Sequence, residues 1–338
     1  MAFADAPEES EPALAYPAIT GPVAPGDRVL VNTTAVRLGL GTGGLHFIMA
    51  VDRPSPGADG EPGAHLVKLR YTPAQHTVAV VEESPLAEQM EAAPGLEGMP
   101  VVAAELHSQV AAIAAGARAA APAARIAYIM PDAAALPLGL SRLVPRLKET
   151  GLIDRTITCG QAFGGDLEAV SLPSALQAAH ALGAGVAIVA QGPGNAGTGT
   201  RLGYSGIAQA DWLNAAHALG GIPIAALRLS FADPRPRHQG ISHHTLTVLG
   251  TFCLCRAVVP LPALPAGQMA RVGSQLAPLR ERHLLEAHEG APALALLERL
   301  GVNVTTMGRS MAVERAFFLA AGAAGAAAAG RLADRVPG

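Results

Sequence analysis

The residues best equipped for chemistry sit in one phrase, ADPRPRHQGISHHT, which carries Asp233, Arg235, Arg237, His238, Ser242, His243 and His244. Pro234 and Pro236 stiffen it, so its side chains are held with less ordering entropy. Ser242 is placed to cap a following helix. That puts His243 and His244 in a first turn, whose positive dipole end disfavours imidazolium. A neutral imidazole is what a metal ligand or a general base requires. His238, His243 and His244 are therefore candidate ligands for a divalent metal and, with Asp233, candidate catalytic residues. Arg235 and Arg237 are of the type that grips a carboxylate or phosphate bidentately. A solvated loop whose arginines pair with acidic neighbours would use the same residues.

A second phrase, QGPGNAGTGT, offers Gly192, Gly194, Asn195, Gly197, Thr198, Gly199 and Thr200 for ligand binding. Glycines let the backbone approach a ligand closely, and its N–H groups can cradle phosphate or carboxylate. Gly192, Gly194 and Gly197 formally match a dinucleotide fingerprint. That fingerprint wants a helix opening inside it, whereas glycines here continue through Gly203 and Gly206. A structural turn is the plain alternative. The similar run at residues 39–44 (GLGTGG) precedes a predicted strand and reads as a hairpin. In GGDLE, alternation puts Asp166 and Glu168 on one side of an extended segment. They are candidate catalytic carboxylates for metal binding or acid–base work, or the cap of a turn.

Weaker signals complete the survey. Cys253 and Cys255 share a face of a predicted strand and read as buried core thiols. Cys159 is a nucleophile only on position. His283, Glu286 and His288 miss both zinc-protease spacings, and Gly203-Tyr204-Ser205-Gly206 lacks the last glycine of a nucleophile elbow. His46, His65, His76, His107, His180 and His217 read as structural histidines.

The elements that must position these residues divide the chain in two. Residues 28–36, 45–51, 65–71, 76–82 and 101–106 are short, rich in Val, Ile and Thr, and partly alternating. They predict a β-rich domain over 1–106, a small barrel or sandwich, with a hairpin tip at 53–63 (RPSPGADGEPG). From 107 to 338 strand-like segments alternate with Ala/Leu-rich helical ones, which predicts an α/β domain with a predominantly parallel sheet and flanking helices. Its strands are expected at 125–130, 155–159, 185–190, 222–231, 255–260 and 302–306. Ligands of open α/β sheets bind outside the carboxyl ends of the strands. The loops starting at Pro131, Gly160, Gln191 and Ala232 should then share one edge.

Composition narrows the partners. A net charge of −3 and an isoelectric point near 6.4 argue against a nucleic-acid partner, which needs clustered Lys and Arg. Lys68 and Lys148 are the only lysines, and neither lies in a phosphate-loop or Schiff-base setting. Three cysteines do not make a disulfide framework. The amino-terminal segment has neither basic nor apolar stretch, so no secretory signal is visible and the cytoplasm is the expected compartment. The apolar run 316–330 falls short of the roughly 20 residues that span a bilayer, which predicts a packed helix and no membrane partner. Half the chain is hydrophobic, with a mean hydropathy of +0.31. Most of that is alanine, which suits tight helix packing and a possible homo-oligomer.

The phrases AFGGDLEAV, GPGNAGTGT and SFADPRPRHQGISHHT, together with GDRVLVNTTAVRLGLGTGG, resemble an uncharacterised bacterial family catalogued as a domain of unknown function (DUF3866-like). The resemblance implies one architecture over nearly the whole chain and supplies no reaction. The residues themselves lead to an enzyme, a hydrolase or transferase, acting on a small anionic metabolite. A non-catalytic ligand-binding or regulatory protein would use the same cleft. A structural assembly protein and a dinucleotide-dependent oxidoreductase are the further alternatives.

Overall fold

The computed structural model describes residues 1–4, 10–39, 43–53 and 64–333. The expected tip at 53–63 therefore lies outside the described residues except for Arg53, as do the middle positions of the hairpin expected at 39–44. The chain forms two compact units, Met1–Ala79 and Val80–Gly338.

In the amino-terminal unit, β1 (Ala13–Leu14), β2 (Val29–Asn32) and β3 (His46–Val51) make a three-stranded sheet in the order β1-β3-β2. Here β1 runs parallel and β2 antiparallel to β3. A separate antiparallel hairpin joins β4 (Leu66–Lys68) to β5 (His76–Val78). Two single turns, α1 (Pro17–Thr20) and α2 (Thr34–Arg37), complete it. The strand expected at 28–36 stops early because Asn32 Oδ1 accepts the Thr34 N–H at 3.0 Å, which bends the chain into α2. Among the described residues this is an open sheet and a hairpin, neither barrel nor sandwich.

The second unit is a doubly wound α/β fold. Its strands are β6 (Pro100–Ala104), β7 (Ile126–Met130), β8 (Arg155–Cys159), β9 (Leu167–Ala169), β10 (Val186–Ala190), β11 (Ile222–Ala226), β12 (Leu229–Ser230), β13 (Gly240–Ile241), β14 (Val258–Leu261), β15 (Leu284–Ala287), β16 (Thr305–Thr306) and β17 (Arg309–Ser310). Eight of them form one sheet, β15-β14-β11-β6-β10-β7-β8-β9, and every pairing in it is parallel. The pairs β12–β13 and β16–β17 are small antiparallel hairpins outside it.

Every residue of β6, β7 and β10 is buried, as unbroken apolar runs require when helices cover both faces of a sheet. The helices are α3 (Leu86–Ala92), α4 (Val110–Ala120), α5 (Leu143–Glu149), α6 (Leu172–Ala181), α7 (Gln209–Ala218), α8 (His243–Thr247), α9 (Ala266–Leu276), α10 (Ala291–Arg299) and α11 (Arg315–Ala333). One core layer packs α4, α5, α10 and α11 against Val102, Tyr128 and Ile188. The other packs α3, α6, α7 and α9, with the sole tryptophan, Trp212, against Val101, Ile129 and Val189.

The segment 101–106, expected in the amino-terminal β-rich domain, is instead the centre of the parallel sheet. The division accordingly falls at 79/80 rather than 106/107. Two sheet strands, β9 and β15, lie where only loops or weak motifs were expected. The strand expected at 302–306 shortens to β16, which pairs with β17 alone. The run 316–330 is the buried body of α11, and no described helix is long and apolar enough to cross a membrane.

Candidate functional site

Register brings the polar residues together. Ala104 of β6 pairs with Ala226 of β11 on one side and Ala190 of β10 on the other. Glu105, Gln191 and the Leu227-Arg228 step therefore leave the sheet side by side. The chain winds outward from β6 in both directions, so this is the edge where a doubly wound sheet opens a crevice.

Glu105 is fully buried. Its Oε1 accepts from Arg228 Nη1 at 2.6 Å and from His244 Nδ1 at 2.6 Å. Burial pushes the Glu105 carboxyl up, but the His244 hydrogen bond and the charges of Arg228 and His244 outweigh it and hold the group below its ordinary value. A carboxylate only accepts, so His244 Nδ1 carries the hydrogen of this contact. Tyr204 stacks on the His244 ring with centroids 3.7 Å apart and an interplanar angle of 3°, and its hydroxyl donates to the His244 carbonyl at 3.0 Å. Gly206 lets the Tyr204 loop close over this pair, since a Cβ there would stand 2.3 Å from Glu105 Cγ.

His238 and His243 complete a cluster with His244. One ring nitrogen from each lies within 4.8 Å of the others. Ser242 caps α8 as expected, its Oγ accepting the His244 N–H at 3.2 Å, and the same oxygen lies 2.8 Å from His238 Nδ1. The expected cause of neutrality needs correction. The helix has only five residues, too short for a strong terminal dipole. Burial first, then the charges of Arg228 and Arg235, lowers His238 to about 3. Burial and the neighbouring His244 and Arg237 lower His243 as well. A π-helical turn, Val248–Phe252, follows α8 directly, an arrangement that recurs beside functional sites.

Arg228, His238 and His244 border a cleft of about 860 Å³, within the range of small-molecule sites. Among the described residues Arg142, Arg146, Arg228, Arg235 and Arg237 line it, and no carboxylate does. Three are anchored. Arg228 is on Glu105, Arg146 donates to the Leu300 carbonyl at 2.8 Å, and Arg235 lies bidentate on Asp233 at 2.9 and 2.7 Å. Arg142 and Arg237 are exposed and have no ion-pair partner among the described residues.

The glycine loop forms another wall through Pro193, Gly194, Asn195, Gly197 and Thr198. Asn195 is fixed by Gln191 and Ser205, and Thr198 and Thr200 share a hydroxyl contact at 2.9 Å. Gly192 serves packing, because a Cβ would meet the Ala135 carbonyl oxygen at 2.6 Å. Gly192, Gly199 and Thr200 do not line the cleft. The hairpin tip at Met307 covers a further side.

A family model described as Protein of unknown function (DUF3866) matches residues 12–325. The chain belongs to the DUF3866 family. No curated protein and no solved structure matches it.

Of the residues singled out in this DUF3866 chain, the structure unites His238, His243, His244, Arg235, Arg237 and most of the glycine loop, and separates others. Asp166 sits at the amino end of β8. There it is held by Lys148 and by the Thr156 N–H at 2.9 Å, on the edge opposite the cleft. Glu168 lies in the edge strand β9 and accepts the Gly164 N–H at 2.7 Å. Neither lines the cleft. Asp233 is buried, and the Arg235 hydrogen bond holds its carboxyl well below the usual range. It positions Arg235 and contacts Arg309 at 3.3 Å, while Arg309 and Ser230 in turn bind the buried Glu314.

The weaker candidates are structural. Cys159, Cys253 and Cys255 are buried thiols outside any disulfide, His283 bonds the Leu249 carbonyl at 2.9 Å, and Glu286 pairs with Arg331 at 2.7 Å. Glu105, Arg228, Tyr204 and Arg142 are candidate site residues that sequence reasoning passed over. Glu105 and Arg228 do leave a signal, each being a lone charge in an otherwise apolar strand run.

Proposed function

We propose that this chain is an enzyme, a hydrolase or transferase, acting on a small anionic molecule at the carboxyl edge of its parallel sheet. The observation that carries the reading is a cleft that, among the described residues, is lined by five arginines and no carboxylate. Arg142 and Arg237 are free to take the anion, while Arg228 and Arg235 are already oriented by Glu105 and Asp233. Preorganised donors of this kind cost no reordering when a charge arrives. Gly194 and Gly197 border the same space, and their backbone N–H groups make no hydrogen bond among the described residues. His244, fixed by Glu105 on one nitrogen, can take a proton from a substrate hydroxyl or a water on the other wherever no metal occupies it.

The first test is thermal stabilisation of the full chain by inorganic phosphate, pyrophosphate and succinate, followed by calorimetric titration of whichever stabilises it. At least one should raise Tm. The double variant Arg142→Ala/Arg237→Ala should bind it at least about tenfold more weakly, since charge-assisted hydrogen bonds contribute about 1.5–3 kcal/mol each. Absence of any shift, or an unchanged affinity in the double variant, would end this reading. Turnover is then sought with phosphate esters and carboxylate esters of small molecules, where His244→Ala should abolish it.

A further inference from the structure

We propose that His238, His243 and His244 form a three-imidazole site for a divalent transition metal of the zinc type, with Glu105 orienting one ligand from behind. The site stands on the histidines themselves; its use in turnover rests on the anion-cleft reading above.

Three observations support it. One ring nitrogen from each histidine lies within 4.8 Å of those of the other two. In a tetrahedral site with bonds of about 2.0–2.1 Å, ligand nitrogens stand roughly 3.3 Å apart, so small ring rotations close the cluster. Second, the rings are held as metal-binding imidazoles are held, with the non-ligating nitrogen on a protein oxygen. His244 Nδ1 is on Glu105 at 2.6 Å, and His238 Nδ1 is on Ser242 at 2.8 Å. Third, two polar atoms are buried here without a hydrogen-bond partner: His243 Nε2 and Glu105 Oε2. Such atoms are rare in folded proteins and call for an occupant. A cation supplies one, taking the lone pair of His243 and the field of the Glu105 carboxylate together.

The electrostatics constrain the metal's role. Arg228 lies 3.1 Å from His244 Nδ1, and the cleft beyond is cationic. A bare cation is therefore opposed on that side and supported by Glu105 on the other. The balance favours a metal that carries an anion in its open position. His238 and His244 border the cleft whereas His243 does not, so that open position faces the arginines. Imidazole-only coordination selects zinc, cobalt or nickel over calcium and magnesium, which prefer oxygen.

The experiment uses the full chain stripped with a chelator, then titrated with Zn²⁺ by calorimetry and with Co²⁺ by visible absorption. The wild type should bind one equivalent of each. Co²⁺ should give the intense d–d bands of a low-coordinate site, and X-ray absorption should count three imidazoles. His243→Ala should lose stoichiometric binding. Glu105→Gln, which keeps all three ligands, should weaken it about 10–100-fold. Lack of one-equivalent binding by the wild type overturns the proposal, as does His243→Ala binding as tightly as wild type. Should the variants fail to fold, the imidazole count on the wild type decides alone, two or fewer refuting the site. Metal uptake without a response to phosphate, pyrophosphate or succinate sinks the anion cleft and leaves this site standing; a response to one of these anions without metal uptake does the reverse.

Discussion

Glu105 and Asp233 show how a buried carboxylate determines what its neighbours can do. Each holds an arginine toward the cleft, Arg228 and Arg235, and each is itself removed from water. Breaking a buried pair by removing one partner costs about 3–5 kcal/mol, because the other charge stays behind unpaired. Glu105→Ala should accordingly lower stability by that order in urea titration. Arg237→Ala, an exposed change, should stay within about 0.5 kcal/mol of wild type.

His107 allows a test by pH. Its ring lies between the Tyr128 hydroxyl at 3.0 Å and Ser141 Oγ at 2.7 Å, and burial lowers it to about 4. The unfolded chain takes up its proton near pH 6.5, so between these values the unfolded state binds more protons. The His107 contribution is then complete above about pH 6.5 and declines as pH falls toward 4, by at most about 1.4 kcal/mol per pH unit. His107→Gln should reduce the loss of stability between pH 7 and pH 5; an unaltered slope would show that His107 does not titrate in this way. At this scale the sequence made the histidine cluster legible because its members are adjacent in the chain. Their partners were not, because Glu105 and Arg228 are 123 positions apart and meet only through strand register.

The helices explain the alanine and glycine content of the chain. α11 lies against α4 and α10 with backbones nearly touching. A Cβ on Gly116 would stand 2.1 Å from the Gly322 carbonyl oxygen, and one on Gly325 would stand 1.9 Å from that of Ile113. Since backbone cannot yield as a side chain tip can, Gly325→Ala should destabilise by about 1–3 kcal/mol. Gly330→Ala, in the same helix with open space around it, should instead be neutral or gain up to about 1 kcal/mol from helix propensity. Thermal melts of the two variants side by side check the contrast. Strand–helix alternation after residue 107 was readable from apolar runs and turn residues. The short edge strand β9 was not, because its sequence, LEA, carries no apolar pattern and forms only by pairing with β8. That pairing is also what carries Asp166 to the wrong end of the sheet for chemistry with the histidines.

At the scale of the molecule, all cleft-lining residues fall between Leu106 and Met307, inside the unit Val80–Gly338. A fragment of residues 80–338 should therefore fold cooperatively and keep the full chain's response to phosphate. A fragment that is soluble and folded yet unresponsive would show that the first 79 residues take part. The parallel sheet was anticipated, and with it the shared carboxyl edge of the four loops, of which those from Gln191 and Ala232 line the cleft. The other two meet each other farther along that sheet, where Asp132 accepts the Gln161 N–H at 2.9 Å.

Trp212, 3% exposed on α7, gives the protein a built-in optical marker. It is the only indole in the sequence, so intrinsic emission under 295 nm excitation reports the α/β half alone, while far-ultraviolet dichroism sums over both halves. Any gap between the two denaturation midpoints then measures how far the amino-terminal unit melts by itself, with no label or truncation required.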